Sequence, residues 1–276
     1  MDYRFEQFKA DDNSLRELIG LFELSYAGKS DKLSLSFLQW QYLDNPAGEV
    51  VGFNAYAGEK LVAHYVAIPY YMDINGKPTL GLLSLNTATH PEHQGKRLFT
   101  RLAEMTYSFA SENGYKFVIG VANQNSTHGF LKHLKFSLIS PLIFKVGIGK
   151  VKYPVSSDFV FCGTWDTAFL EWRLKNPSFS YYKNGENVVS PISVGFKKII
   201  FNDCKGVAPD GMPRLRLRPF TMYIGIGGKP SGIFINMPKF IPHSPFNLIF
   251  RDLTNGDLPQ MDKDNVLFQL IDFDVA

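Results

Sequence analysis

The sequence has little cysteine and no long apolar run. Its 276 residues include two cysteines, Cys162 and Cys204, and no Cys-x-x-Cys pair. This count excludes a disulfide framework and a cysteine-based zinc site, and it favours a reducing, cytoplasmic location. No uncharged apolar stretch reaches the roughly 18 residues of a membrane span, and the first residues contain acids instead of an apolar segment. We therefore expect neither a membrane-spanning helix nor a signal peptide.

The sequence also lacks a strong excess of charge of one sign. Lysine and arginine total 29 and aspartate and glutamate total 26, which gives a net charge of +3. Such a balance does not favour nucleic acid or an anionic membrane as a partner, although a local positive patch for a phosphate ligand is compatible with it. With 45% hydrophobic residues, the chain can bury the core of one large domain or two ordinary ones.

One short motif occurs twice, about half a chain apart. The first copy is Phe37-Leu38-Gln39-Trp40 followed by Asn45-Pro46, and the second is Phe169-Leu170-Glu171-Trp172 followed by Asn176-Pro177. Each copy lies in a short predicted helix that ends in a proline turn and is followed by a strand-like stretch, at residues 50–57 and 192–201. Duplication of one domain explains both copies, and chance repetition of a common helix-and-turn pattern is the alternative. We favour duplication.

The first half of the chain alternates between helical and strand patterns. Helices are predicted at residues 14–25, 37–42, 99–112 and 127–134, and strands at residues 51–57, 61–71, 79–89, 115–121 and 136–145. The pattern breaks near residues 147–157, so we predict one domain over residues 1–147 and another over residues 158–276. The second half is richer in strand and turn signals, with a glycine cluster at residues 225–232 that predicts a hairpin and a closing strand at residues 266–273.

Residues 86–102 carry the most informative local pattern. They pass from a strand through a proline- and glycine-containing turn into an amphipathic helix. The N-terminus of a helix presents free N–H groups and a partial positive charge, and Gly95 allows a ligand to approach the backbone closely. Lys96, Arg97 and Arg101 add positive charge near the same end. The segment therefore predicts a phosphate-binding site.

This segment resembles motif A of the GNAT (GCN5-related N-acetyltransferase) family, in which a strand and a His-Pro turn precede Gln/Arg-x-x-Gly-x-Gly/Ala at the start of a helix. His90-Pro91 and Gln94 match the motif. Two positions depart from it, because Arg97 replaces a glycine and Phe99 replaces a glycine or alanine. An arginine preserves the loop if its φ is negative, or at the cost of strain. Phe99 either narrows the approach of the pyrophosphate or turns into the core.

The sequence downstream of the loop is also similar to the family. A strand is followed by Asn123, Ser126 and Phe130 in an Asn-x-x-Ser-x-x-x-Phe pattern, with Lys135 in place of the usual glycine. The resemblance covers residues 1–147, and the repeated motif is similar to bacterial tandem GNAT proteins. It implies a mixed α/β (α+β) fold with two GNAT-like domains, each a twisted mixed sheet flanked by helices. The second domain is expected to be a diverged copy without its own coenzyme A (CoA) site.

The resemblance also implies roles for individual residues. The strand before the loop would pair with the pantetheine arm of acyl-CoA, the loop amides would bind its pyrophosphate, and Asn125 or Asn123 on the next turn would approach the pantetheine or the thiol end. By motif match, the residues expected to bind acyl-CoA are Thr87, Ala88, Thr89, Gln94, Gly95, Lys96, Arg97, Leu98, Phe99, Asn123, Asn125 and Phe130.

Catalysis needs a group that takes a proton from the amine and one that gives a proton to the leaving thiolate. Many GNAT enzymes use a tyrosine on the helix before Gly-Phe, where this chain has Phe130 and Leu131. His128 and His133 flank that position, and Asn86 lies on the strand before the loop. These three residues are our candidates for catalysis, with surface helical positions as the alternative for the two histidines.

The resemblance thus implies an N-acyltransferase that moves an acyl group, most simply from acetyl-CoA, to an amine of a small molecule such as an amino sugar. No cysteine lies near the loop to carry the acyl group, so direct attack in a ternary complex is expected, without a metal. We expect a monomer or homodimer with no nucleic-acid or membrane partner. A non-catalytic acyl-CoA sensor is the alternative. Aminoacyl transfer from tRNA is disfavoured because the net charge is modest and a basic helical insertion is lacking.

Overall fold

The computed structural model describes residues 2–26, 33–154, 156–193, 195–202, 209, 211–215, 218–237 and 246–273. Cys204 therefore lies outside the described residues. The helices are α1 (Asp12–Ser25), α2 (Leu35–Tyr42), α3 (Leu98–Glu112), α4 (Gln124–His133) and α5 (Thr167–Arg173). Within the described part of the chain, none of them combines the length and the apolar character needed to cross a membrane.

Within the residues that the structure describes, fifteen strands join into one sheet. They are β1 (Arg4–Gln7), β2 (Val51–Ala57), β3 (Lys60–Ile74), β4 (Lys77–Thr89), β5 (Phe117–Ala122), β6 (Ser137–Pro141), β7 (Ile143–Lys152), β8 (Phe161–Gly163), β9 (Tyr182–Asn184), β10 (Asn187–Ser193), β11 (Phe196–Asn202), β12 (Phe220–Ile226), β13 (Lys229–Asn236), β14 (Asn247–Asp252) and β15 (Val266–Gln269). Short 3₁₀ turns lie at Pro91–His93, Ser156–Asp158 and Leu270–Asp272.

The predicted mixed α/β fold is confirmed, and the predicted helices and strands of the first half overlap the observed ones. Three local predictions differ from the structure. The predicted strand at 136–145 is split into the whole of β6 and the start of β7, and the predicted closing strand stops at Gln269, before a 3₁₀ turn. The glycine cluster is not a simple hairpin, because β12 and β13 both pair with β7, which lies between them.

Helices α1 and α3 form for identifiable local reasons. The Asp11 side chain accepts a hydrogen bond from the Ser14 amide and so caps α1, whose apolar face is buried. Helix α3 buries Leu98, Leu102 and Ala103 against the sheet. Helices α1 and α2 pack in a separate core that extends into the second half of the chain. The first-half sheet is therefore covered on both faces.

Strands β4 and β5 are parallel and pair over only three residue positions, from Leu82–Val118 to Ser84–Gly120. Beyond Ser84, β4 remains paired with β3, with a register shift opposite Tyr65, whereas its other edge is no longer paired with β5. We call the gap between the ends of these two strands the splay. Asn86 adopts a φ of +46° within it, which marks a bulge in β4.

The two halves of the chain exchange one strand each. Strand β14, from the C-terminal half, lies between β5 and β6 and is antiparallel to both. In return, β7 lies between β12 and β13 and is antiparallel to both. The order β3-β4-β5-β14-β6 therefore has the same relative strand directions as β10-β11-β12-β7-β13.

The repeated Phe-Leu-x-Trp motifs meet where the halves join. The indole Nε1 of Trp40 donates to the carbonyl of Trp172 at 2.7 Å, and the indole Nε1 of Trp172 donates to the carbonyl of Trp40 at 2.7 Å. The two rings stack with centroids 5.1 Å apart, and both are buried. After each motif, an asparagine side chain accepts the amide two residues later, with Asn45 binding Ala47 and Asn176 binding Ser178. The contact is thus reciprocal, as a local two-fold relation requires.

Replacing either tryptophan of this pair by phenylalanine tests its contribution. Trp40→Phe and Trp172→Phe each remove one indole donor and shrink one ring of a buried stacked pair, so the free energy of unfolding should fall by about 1–3 kcal/mol. Urea denaturation measures the change. Tyr71→Phe, at an exposed position on β3, is the control and should change little. A loss no larger than that of the control would contradict a stabilising role for the reciprocal bonds.

Candidate functional site

A pocket of about 550 Å³ lies between the end of β4, the end of α1 and the start of α3. Nine of the residues predicted to bind acyl-CoA line it: Thr87, Ala88, Thr89, Gln94, Gly95, Arg97, Leu98, Phe99 and Asn125. Lys96, Asn123 and Phe130 do not line it. Four further lining residues were not predicted: Ser25, Tyr26, His93 and Thr100. The pocket thus combines the predicted loop and strand with the end of a helix more than 60 positions away in the chain.

The loop that forms one wall of the pocket turns twice through left-handed backbone conformations. Gly95 has a φ of +75° and Arg97 a φ of +59°. Of the two possibilities for Arg97, the structure has the strained one, with a positive φ. A non-glycine residue in this conformation costs roughly 1–2 kcal/mol. Arg97 therefore keeps the backbone shape that a glycine would provide at this position. The space around Gly95 is open, since an added Cβ would meet no atom within 4 Å.

The first turn of α3 presents unpaired amides to the pocket. The Arg101 amide makes the first bond within the helix, to the Arg97 carbonyl at 3.1 Å. The amides of residues 98–100 therefore have no acceptor within the helix, and Arg97, at the N-cap, supplies no side-chain cap. Lys96 and Arg97 are exposed beside these amides. Free amides, the helix dipole and two cations in one place suit the diphosphate of a CoA ligand.

Phe99 packs across α3 and α4 and still lines the pocket. Its ring centroid lies 5.2 Å from that of Phe130 and 5.8 Å from that of Tyr65. An added Cβ at Gly129 would lie 3.2 Å from the Phe99 ring, so the glycine on α4 leaves space for this side chain. The phenylalanine therefore joins the core through one side and lines the pocket with the other, and the pocket remains open beside it.

Asn123 and Phe130 have local structural contacts. The Asn123 side chain accepts the amides of Asn125 and Ser126 and caps α4. Phe130 is buried between Phe99 and Phe136. Both residues place neighbours that face the pocket, and the predicted direct contacts of these two residues with acyl-CoA stay predictions.

Asn86 begins a buried chain of hydrogen bonds. Its Nδ2 donates to the Tyr42 hydroxyl at 3.0 Å and also contacts the Gln41 side chain. The Tyr42 hydroxyl lies 3.5 Å from His64 Nε2, and His64 Nδ1 lies 2.7 Å from Asn54 Oδ1. All these bonds are satisfied if His64 is neutral and donates from Nδ1. Asn86 thus holds the β4 bulge against α2 through its side chain, and Tyr42 links α2 to His64 on β3.

The two histidine candidates lie on the surface of α4. His128 and His133 are both exposed, and their ring centroids are 6.2 Å apart. Neither lines the pocket. A catalytic role for them stays a prediction that no described contact with the pocket supports.

A second cluster of polar side chains lies at the start of the loop. Potential ligand atoms of His90, Glu92 and His93 lie within 4.8 Å of one another, a spacing that could admit a metal ion. However, Lys60 Nζ lies 3.0 Å from His90 Nε2, and a bound cation would meet this ammonium group. A positive charge thus already lies beside this cluster at the start of the loop.

The strain at Arg97 has a direct test. Arg97→Gly and Arg97→Ala both remove the charge, but only glycine tolerates a φ of +59° without cost. The glycine variant should be more stable than the alanine variant by about 1 kcal/mol in urea unfolding. At an ordinary helical position the order is reversed, because alanine is favoured there by about 1 kcal/mol. An alanine variant at least as stable as the glycine variant would show that the loop is not left-handed at this position.

Burial lowers the pKa of His64 from its ordinary 6.5 to about 3. Between these values the unfolded chain binds a proton that the folded chain does not, so stability falls with falling pH by up to about 1.4 kcal/mol per pH unit. Comparison of the native chain with His64→Asn isolates this effect, because the carboxylates titrate in both proteins. The free energy of unfolding of the native chain should decline more steeply below pH 6.5. Parallel pH curves would indicate that His64 is protonated in the folded protein.

Comparison with known proteins agrees with this architecture. The sequence model of the acetyltransferase (GNAT) domain matches residues 8–136. No curated protein sequence matches the chain. The fold is similar to that of a probable N-acyltransferase from Enterococcus faecalis, at 10% identity and a TM-score of 0.61 over 92% of this chain and 73% of that one.

Two further solved structures share the fold. Eis1 from Mycobacterium abscessus is 11% identical, with a TM-score of 0.55 over 92% of this chain and 74% of that one. A GCN5-related N-acetyltransferase from Anabaena variabilis is 10% identical, with a TM-score of 0.55 over 91% of this chain and 74% of that one. The chain thus has the fold of GNAT proteins, and residues 8–136 match the acetyltransferase (GNAT) domain.

Proposed function

We propose that this protein is an N-acyltransferase that transfers an acyl group, most simply from acetyl-CoA, to the amine of a small molecule. The observation that carries the proposal is one pocket in which an unpaired strand edge meets a left-handed loop with free amides. A diphosphate fits the loop, and an extended amide-containing arm fits a strand edge by β-augmentation. Acyl-CoA combines these two chemical groups in one molecule.

Residues at the end of β4 would orient the arm. Ala88 is buried and Thr87 and Thr89 are half-buried on the pocket wall. The Thr89 carbonyl is contacted by Gln94 Nε2 at 3.4 Å, which ties the strand to the loop. The described residues lining this pocket do not include a cysteine, which supports direct attack by the amine over acyl transfer through a thiol. Buried Cys162 lines a different cavity, beside β8.

We further propose that the second half is a diverged copy of the first, with domains near residues 1–147 and 158–276. The shared strand order and the paired Phe-Leu-x-Trp motifs support this origin. In the second half, β11 and β12 pair over three positions and then separate, as β4 and β5 do. There β15 pairs with β12, and Gln269 Oε1 accepts the amide of Asn202 on β11. The corresponding gap is filled by the chain itself, which supports a single acyl-CoA site in the first half.

A non-catalytic acyl-CoA sensor is the second candidate function. We keep it as the alternative because positions 130 and 131 hold no tyrosine and because His128 and His133 are exposed outside the pocket. Thiol release from acetyl-CoA across a panel of amino sugars and other small amines separates the two functions. Release with at least one amine supports the enzyme, and binding without release across the panel supports the sensor. We propose a small-molecule amine, such as an amino sugar, as the acceptor of the acyl group.

Two glycines allow a matched test of the acyl-CoA site. Gly95 and Gly76 have φ values of +75° and +76°, and an added Cβ at either meets no atom within 4 Å. Gly95→Ala and Gly76→Ala should therefore have similar costs in stability, about 1 kcal/mol each. Only Gly95 lies on the pocket, so Gly95→Ala alone should weaken CoA binding, by about tenfold. Isothermal titration calorimetry with CoA gives the affinities.

The two variants separate a local effect from a general one. Equal CoA affinities for Gly95→Ala and the native chain would place the pyrophosphate elsewhere. A similar loss of affinity in Gly76→Ala, at the far end of β4, would indicate that lower stability alone weakens binding. Absence of heat with millimolar CoA in the native chain would refute the proposed function itself.

A further inference from the structure

Tyr26 is one of the four side chains of the pocket that the sequence did not predict. It follows α1, and its hydroxyl donates to the carbonyl of Thr87 on the splayed strand at 2.7 Å. Its ring stacks on Phe22 with centroids 5.4 Å apart and an interplanar angle of 19°. The ring is thereby held in place from α1, and the hydroxyl is directed at the edge of β4 that lies in the splay.

The position of Thr87 relates Tyr26 to the two ends of the proposed ligand. If the diphosphate binds at the loop of Gly95 and Arg97, the pantetheine arm runs back along β4 from Thr89 towards Asn86. Thr87 lies two residues, or about 7 Å, further from the loop than Thr89. The thiol is the end of the arm that is remote from the diphosphate. Tyr26 therefore contacts β4 on the thiol side of the pocket.

We propose that Tyr26 donates a hydrogen bond to the sulfur of CoA and gives its proton to that sulfur when the thioester breaks. This proposal rests on the proposed function. In the reaction the amine nitrogen bonds to the acyl carbon, the carbon–sulfur bond breaks, and its electron pair stays on sulfur. Tyr26 supplies the proton that converts the sulfur to a thiol. The phenolate regains a proton through water from the amine nitrogen, which loses one as the amide forms.

Other side chains of the pocket suit this role less well. Burial raises the pKa of Tyr26, so its hydroxyl is a hydrogen-bond donor at neutral pH. The raised pKa also means that its proton moves to sulfur only together with reprotonation of the phenolate, through water, by the amine nitrogen. The hydroxyls of Ser25, Thr87, Thr89 and Thr100 are aliphatic alcohols, which are far weaker acids than a phenol. His93 lies at the loop and binds the Tyr3 hydroxyl at 3.0 Å. Among the described residues that line the pocket, Tyr26 combines acidity with a position on the thiol side.

A double-mutant cycle between protein and ligand tests the contact without requiring the acceptor. CoA and desulfo-CoA, which lacks the sulfur, are titrated into the native chain and into Tyr26→Phe by calorimetry. The native chain should bind CoA about three- to tenfold more tightly than desulfo-CoA, the range of one hydrogen bond. In Tyr26→Phe the two ligands should bind equally. The affinity of the variant for CoA should not collapse, because the Thr87 carbonyl becomes available to the ligand.

Tyr71→Phe is the matched control, since it removes the same hydroxyl from an exposed tyrosine on the distant part of β3. It should keep the native ratio between CoA and desulfo-CoA. The same ratio in the native chain and in Tyr26→Phe would overturn the contact with sulfur. An equal loss of affinity for both ligands in Tyr26→Phe would also overturn it and would assign the Tyr26 bond to holding α1 on β4. Failure of the native chain to bind either ligand would instead refute the proposed function, and this inference with it.

Discussion

The insertion of β14 between β5 and β6 is the interaction on which the first half depends. Without it, β5 would have β4 as its neighbour over only three positions and would lack a partner on its other edge. Strand β14 also fixes the helical layer, since Arg251 donates to the Leu134 carbonyl at the end of α4 and lies over the Tyr107 ring on α3. The strand that completes the first half thus comes from beyond residue 240, so residues 1–147 do not contain all of the strands of their own sheet.

The same exchange explains why the halves stay together. Strand β7 completes the second half as β14 completes the first, and the Trp40–Trp172 pair joins the two halves. A further buried link is Asp272, which accepts the Tyr70 hydroxyl from β3 and the indole of Trp165. Asp272 is fully buried, and this burial raises the pKa of its carboxyl to about 6. Separating the halves would expose two unpaired strand edges. It would also expose the stacked Trp40–Trp172 pair and the hydrogen bonds of Asp272.

Local signals predicted the loop and most first-half elements, because helix periodicity, the Asn-Gly turn and the Gly95 turn depend on neighbouring residues. The left-handed Arg97 could not be predicted, since side-chain identity at that position disfavours the conformation that the surrounding loop imposes. Tyr26 and Thr87 are 61 positions apart, and no spacing rule relates them. The strand exchange was equally inaccessible, because β7 and β14 are ordinary strand patterns whose partners are chosen by the tertiary fold. The repeated tryptophan motif was the one sequence signal of that long-range symmetry.

The splay between β4 and β5 differs from the corresponding gap between β11 and β12 in how its backbone groups find hydrogen-bond partners. Buried backbone N–H and C=O groups need such partners. In the second half, where β11 and β12 separate, β15 and the Gln269 side chain supply those partners permanently. In the first half, side chains do so at two places: Tyr26 covers the Thr87 carbonyl and Gln94 covers the Thr89 carbonyl. A side-chain hydrogen bond can be exchanged for a ligand amide at little cost, whereas a paired strand cannot be displaced without unfolding its surroundings. The splay can therefore accept an extended ligand. When a ligand amide replaces Tyr26 at the Thr87 carbonyl, the Tyr26 hydroxyl becomes available to the sulfur end of that ligand.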